Sequence, residues 1–232
     1  MISSQKLIDN AGKSAAQYFV DKIENPFNQK VLIVAGKGNN GADGVAMHHY
    51  LIDYGVESKI FLFNELKLKK IINSYKIKRE SILRHITSNS IVNYDWFIDG
   101  LFGIGLNRKI DIKYNNIINL MYNKNVISLD VPSGLDCDTG LAKYSKKYCN
   151  PKHVLAMGCY KNANIINKGK RFFSETKLLD ISFPSVSTII KDLDTFLISK
   201  KDIKKIIIKD NYLRNKYDRS SLLISGCQKY LG

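Results

Sequence analysis

Little in this chain points to thiolate metal sites, secretion or a membrane. Its four cysteines, at 137, 149, 159 and 227, form no C-x-x-C pair and no metal-ligand spacing, and His48-His49 is the only histidine cluster. That pattern argues against zinc-finger and iron–sulfur sites and predicts ordinary buried thiols in a reduced, cytoplasmic setting. No uncharged apolar run reaches the roughly 20 residues of a membrane helix. The start, Met1-Ile-Ser-Ser-Gln-Lys6, has no apolar h-region, so no secretory signal is expected.

Acidic residues are scarce as well: 21 Asp and Glu stand against 36 Lys and Arg, a net charge of +15. Such a balance invites a nucleic-acid partner. The lysines, however, are scattered along the whole chain, and the densest run, from Lys200 to Lys209, has no interleaved aromatics on which bases could stack. A solvated lysine-rich surface is the better expectation, and neither nucleic acid nor membrane is expected as a partner.

What the chain does have is one stretch around which the rest is arranged, Val31-Leu-Ile-Val-Ala-Gly-Lys-Gly-Asn-Asn-Gly-Ala-Asp-Gly44. The β-branched opening predicts a buried strand. After Gly44, apolar groups at Met47, Leu51 and Tyr54 recur at helical spacing, and Gly55 suits a C-cap. Strand, glycine-rich turn and helix bring backbone N–H groups to an anionic ligand. The Asn39-Asn40 pair and Asp43 add something a phosphate cradle does not need: oxygens suited to a cation, or to the ribose and amide edges of a nucleotide. The plainer alternative is a loop whose Asn and Gly residues only satisfy left-handed backbone angles.

At 232 residues the chain can bury one large core. One-sided apolar spacing predicts a helix over 4–23, with Ser3 or Ser4 as N-cap. Further strands are expected at 59–63, 94–99, 126–130, 153–157 and 177–181, and helices at about 65–86 and 112–122. Strands alternating with helices imply an α/β fold, a three-layer αβα Rossmann-like sandwich on a mostly parallel sheet. Ligands bind beyond the carboxyl ends of such strands. Three of those ends carry polar groups: Asn39, Asn40 and Asp43, then Asp99, then Asp130 with Ser133. A lysine-rich connector over 185–210, with a short helix near 200–207, follows the domain closed by Phe183-Pro184. Ser221-Leu-Leu-Ile-Ser-Gly226 then opens a new strand and glycine turn.

Three motifs together resemble one family. Ala35-Gly-Lys-Gly-Asn-Asn-Gly-Ala-Asp-Gly44 is similar to its G-x-G-N-N-G-G-D-G loop. Asp99-Gly-Leu-Phe-Gly-Ile-Gly-Leu-Asn-Arg108 is similar to its D-A-L-F-G-T-G-L-x-R segment. Asp130-Val-Pro-Ser-Gly-Leu-Asp136, with Asp138-Thr-Gly140 behind it, is similar to D-I-P-S-G-L-D-x-D-T-G. The family is the YjeF N-terminal domain, NAD(P)H-hydrate epimerase, and Gly158-Cys-Tyr-Lys161 resembles its G-x-x-K element. The resemblance divides the chain into an epimerase domain over 1–184 and, over 185–232, a connector and the truncated start of an ADP- or ATP-dependent NAD(P)H-hydrate dehydratase domain. Dehydratase activity is not expected from this chain.

The resemblance implies epimerisation of the R and S forms of NADH or NADPH hydrated at C6 of the nicotinamide. It implies a potassium ion on Asn40, Asp99 and Ser133, whose hard oxygen donors suit such a cation. Substrate contacts fall on Asn39, Asn40, Gly41, Ala42 and Asp43, on Gly103, Ile104, Gly105, Leu106, Asn107, Arg108 and Lys109, and on Asp130. Asp130 is the expected acid–base group, and Lys161 a candidate for charge stabilisation. Homodimer contacts would lie near the N-terminal end of the fold. Two departures stand out: Ala42 replaces a loop glycine, tolerable at negative φ, and Lys109 stands where proline is usual. One rival expectation is a non-catalytic nucleotide- or protein-binding scaffold. Another is an ordinary Rossmann oxidoreductase, which needs an acid after the second strand and has only Glu65 there.

Overall fold

Alternation within the first strand sorts the core. In β1 (Lys30–Ala35) the side chains of Val31, Ile33 and Ala35 enter one apolar cluster, and those of Leu32 and Val34 enter the other. A strand buried on both faces belongs inside a parallel sheet covered by helices on both sides. The computed structural model describes residues 2–145, 147–183, 197–198 and 200–206. Among them, β1 is joined by β2 (Glu57–Leu62), β3 (Ile82–Leu83), β4 (Trp96–Gly100), β5 (Asn125–Leu129), β6 (His153–Met157) and β7 (Thr176–Leu179). Their order is β3-β2-β1-β4-β5-β6-β7, every pairing parallel.

The helices α1 (Ser4–Lys22), α2 (Asn39–Asp53) and α3 (Glu65–Ser74) cover one face, and α4 (Ile112–Met121) covers the other. Ser3 caps α1, its Oγ accepting from the Lys6 N–H at 3.2 Å. Gly55 ends α2 at φ 87, with Val56 N donating to Leu51 O at 2.8 Å, as a left-handed C-terminal turn requires. Buried His48 on α2 bridges Ser58 Oγ at 2.9 Å and Ser81 Oγ at 3.1 Å. Burial pushes its pKa down to about 4, so its imidazole is neutral and structural.

Two expectations need correction. The glycine-rich turn is itself the start of α2, which begins at Asn39 rather than after Gly44. The expected helix over 65–86 stops at Ser74. Lys76 takes φ 50, its N–H donating to Asn73 O, while Ile77 N–H donates to Ile72 O and its side chain packs on the core. That is a C-terminal turn of the kind glycine normally marks, built here on lysine. It frees the chain to lay β3 against β2.

The chain divides into two compact units, Met1–Pro184 and Ser185–Gly232. In the second, α5 (Lys200–Ile206) falls where a short helix is expected, and the strand expected at 221–226 lies outside the described residues. Among the described residues no helix is long and apolar enough to cross a membrane.

Candidate functional site

The strand order reverses between β1 and β4: the chain winds outward through β2 and β3 on one side and through β5 to β7 on the other. Loops leaving β1 and β4 therefore diverge and open a crevice. A cleft of about 1020 Å³ lies there, large enough for a dinucleotide-sized ligand. Its wall combines Lys37, Gly38, Asn39, Asn40 and Asp43 with Gly103, Ile104, Gly105, Leu106, Arg108 and Lys109, and with Asp130 and Lys161. Of the substrate-contacting residues expected from the sequence, Gly41, Ala42 and Asn107 do not line it.

Gly41 has a packing role instead. A Cβ there would fall 1.9 Å from Gly36 O, and one at Gly36 would fall 2.0 Å from Leu101 O. These close backbone approaches set the start of α2 against β1 and β4. Gly41→Ala is expected to cost about 1–3 kcal/mol or more, read as a lowered urea midpoint. Ala42 lies inside α2 and is absent from the positive-φ residues, so its methyl group is accommodated. No side chain caps α2, which leaves its first N–H groups available beside the cleft.

Asn40, Asp99 and Ser133 come together beneath the cleft around the Phe102 peptide. Asn40 Nδ2 donates to Phe102 O at 2.8 Å and to Leu129 O at 3.2 Å, and Ser133 Oγ lies 3.5 Å from the same Phe102 O. Asp99 is fully buried; it accepts from Ser133 Oγ at 2.5 Å, Ser133 N at 2.9 Å, Ser128 Oγ at 2.8 Å and Leu101 N at 3.3 Å. Burial raises its pKa, and the hydrogen bonds from Ser133, Ser128 and Leu101 pull it back. Asn40 Oδ1 is buried without a hydrogen-bond partner. Its orientation is fixed, because only the NH₂ end of the amide can face two carbonyl oxygens. Among the described residues no three His, Cys, Asp or Glu form a metal cluster, so any cation would be held by this mixed oxygen set.

Asp130 leaves β5 at φ 65, with Val131 N–H donating back to Leu129 O at 2.8 Å. Such a turn is costly for a residue with a side chain, and strain of this kind gathers at functional sites. It aims the carboxylate into the cleft, where Oδ1 pairs with Lys161 Nζ and accepts from Met157 N at 3.3 Å. Lys161 Nζ also donates to Met157 O at 2.7 Å and Cys159 O at 3.0 Å. Asp43 lines the same cleft. Burial and the Asp130 carboxylate push its pKa up to about 8, against the pull of Lys161, so it keeps its proton at neutral pH. One carboxyl group pushed toward its neutral form and another paired with an ammonium can give and take protons on one ligand.

The structure adds residues that sequence reasoning did not single out. Ser4, Leu7, Ile8 and Ala11 of α1 line the cleft, as do Tyr114, Met157 and Cys159. Asn164 sits behind it, 2% exposed, joining the backbones of Asp130 and Lys161. Its position three residues after Lys161, at the start of a short helical turn, is the one available signal. Glu65, the sole candidate for holding a ribose hydroxyl in a conventional Rossmann site, is paired with Arg79 at 2.7 Å.

The sequence profile described as YjeF-related protein N-terminus matches residues 4–163. The bifunctional NAD(P)H-hydrate repair enzyme Nnr of Dictyoglomus turgidum is 37% identical over 143 residues, 58% of this chain and 28% of that protein. Its namesake from Thermofilum pendens is 25% identical over 244 residues, 100% of this chain and 45% of its own length. The NAD(P)H-hydrate epimerase of Elusimicrobium minutum is 28% identical over 198 residues, 79% of this chain and 87% of that one. The chain thus spans less than half the length of those two bifunctional relatives. The crystal structure of yeast ynu0, YNL200c, superposes with a TM-score of 0.60 at 22% identity, over 76% of this chain and 78% of the other, a likeness of fold.

Proposed function

Since the chain belongs to the YjeF-related N-terminus family, we propose that its cleft binds NADH or NADPH hydrated at C6 of the nicotinamide and interconverts the R and S epimers. The observation that carries this is the presence in one cleft of Asp43, its carboxyl pushed toward the neutral form, together with the Asp130–Lys161 ion pair. Epimerisation at C6 needs the C6–O bond to break and re-form on the other ring face. Asp43 protonates the departing hydroxyl, which leaves as water while the N1 lone pair forms a C6=N1 double bond. A water then attacks the opposite face of C6, N1 recovers its electron pair, and Asp130 takes the proton that water sheds. Lys161 balances the Asp130 charge, and solvent exchange resets the two carboxyl groups.

The same reading assigns a potassium ion to the oxygens beneath this site. The orphaned Asn40 Oδ1, Ser133 Oγ and the Asp99 carboxyl offer hard oxygens, a set suited to a monovalent cation. When bound, it would supply a fixed positive charge and tie the loops that follow β1, β4 and β5. The alignment of the whole chain with the T. pendens repair enzyme supports reading 185–232 as the opening of a second domain.

The test is an NMR or chromatographic assay of R/S-hydrate interconversion with potassium present and absent. Faster equilibration than the spontaneous background, strongest with potassium, is expected. Background rates in both conditions would overturn the enzyme and leave the scaffold.

A further inference from the structure

Asp130 keeps a left-handed turn that costs a residue with a side chain roughly 1–3 kcal/mol, and such a conformation persists only where its surroundings over-determine it. Beside the Lys161 ion pair, three hydrogen bonds do so. Its N–H donates to Leu155 O at 2.7 Å, its Oδ1 accepts from Met157 N at 3.3 Å, and its carbonyl accepts from Asn164 Nδ2 at 3.0 Å. The first two come from the neighbouring strand and are backbone groups any sequence would supply. The third is a side chain, and the same amide accepts from Lys161 N at 2.8 Å through Oδ1. Asn164 is almost wholly buried, and both ends of its amide are used.

Resting on the function proposed above, we infer that Asn164 is the positioning residue of the acid–base pair. It fixes the Asp130 turn with its donor end and the Lys161 backbone with its acceptor end, so that the carboxylate and the ammonium meet at one point in the cleft. Among the amide-sized side chains only Asn has a donor and an acceptor at this reach. Asp keeps the acceptor and loses the donor, and Ala loses both. Asn164 touches no substrate, since it does not line the cleft.

The two variants separate its two ends. Asn164→Asp should lower kcat by about 10²-fold with KM within about twofold, because a misplacement of about 1 Å at a reacting group has that effect. The Lys161 amide should stay as protected from hydrogen exchange as in the parent. Asn164→Ala should lower kcat at least as far and also remove that protection, while the Ala163 amide, bonded to Cys137 O at 2.9 Å, keeps its own. Thermal unfolding of each variant sets the folded fraction by which kcat is corrected. A corrected kcat within twofold of the parent in Asn164→Asp would overturn the inference, as would unchanged Lys161 amide exchange in Asn164→Ala. A parent with no epimerase activity would sink the proposed function. The exchange arm would still decide whether Asn164 orders the Lys161 backbone.

Discussion

Asp130→Asn is expected to slow interconversion of the hydrate epimers by about 10²–10⁴-fold, the usual contribution of a positioned acid–base group. Asparagine is the informative replacement because it tolerates φ 65 better than alanine and keeps the volume of the carboxylate. Its carbonyl can still accept from Asn164 Nδ2, and Lys161 Nζ still has Met157 O and Cys159 O to bond. The fold should therefore survive, KM should move little, and the loss should sit in kcat. A pH profile gives a second check. Asp43, with its pKa pushed up to about 8, is a neutral donor below that value and a charged, spent one above it. The parent rate should fall as pH rises through about 8, while Asp43→Asn should be slow throughout and lack that limb. Asp130→Asn at parental speed, or a parent profile flat across that range, would remove the acid–base assignment.

Much of this is legible in the sequence. The β1–α2 element announces itself through a β-branched run followed by glycines, and those glycines are required because Gly36 and Gly41 lie where a Cβ would strike a backbone oxygen. Carboxylates at the ends of β4 and β5 are legible for a similar reason: in a parallel sheet the strand ends share one rim, and Asp99 pairs with Ser128, two residues before Asp130. The break of α3 was hidden because Lys76 occupies a left-handed position that glycine would have flagged. The protonated state of Asp43 was hidden for another reason. It arises from burial and from Asp130, and neither is a local property of the glycine-rich loop. Asn164 escaped notice because its partners are backbone groups, which leave no pattern in side-chain spacing.

The second large effect is expected at Asp99, and it falls on stability. Four donors, the Ser128 and Ser133 hydroxyls and the Leu101 and Ser133 amides, converge on one carboxylate that water does not reach. Asp99→Ala would strand all four, and buried unpaired groups cost about 1–3 kcal/mol each, less than additively where they can re-pair. A loss of about 3–5 kcal/mol, a large share of a typical domain's total stability, should lower the urea midpoint or prevent folding. Asp99→Asn keeps one acceptor oxygen and the shape of the side chain, so it should fold at a smaller cost. That makes it the variant in which to test the cation. An ion that binds only the folded protein raises its stability by an amount set by concentration over Kd. Potassium should therefore raise the urea midpoint of the parent more than an equal ionic strength of lithium, and the difference should vanish in Asp99→Asn, where one carboxyl oxygen of the set is replaced. Equal midpoints in both salts for the parent would mean that this oxygen set holds no potassium, and an undiminished potassium effect in Asp99→Asn would mean that Asp99 is not among its ligands.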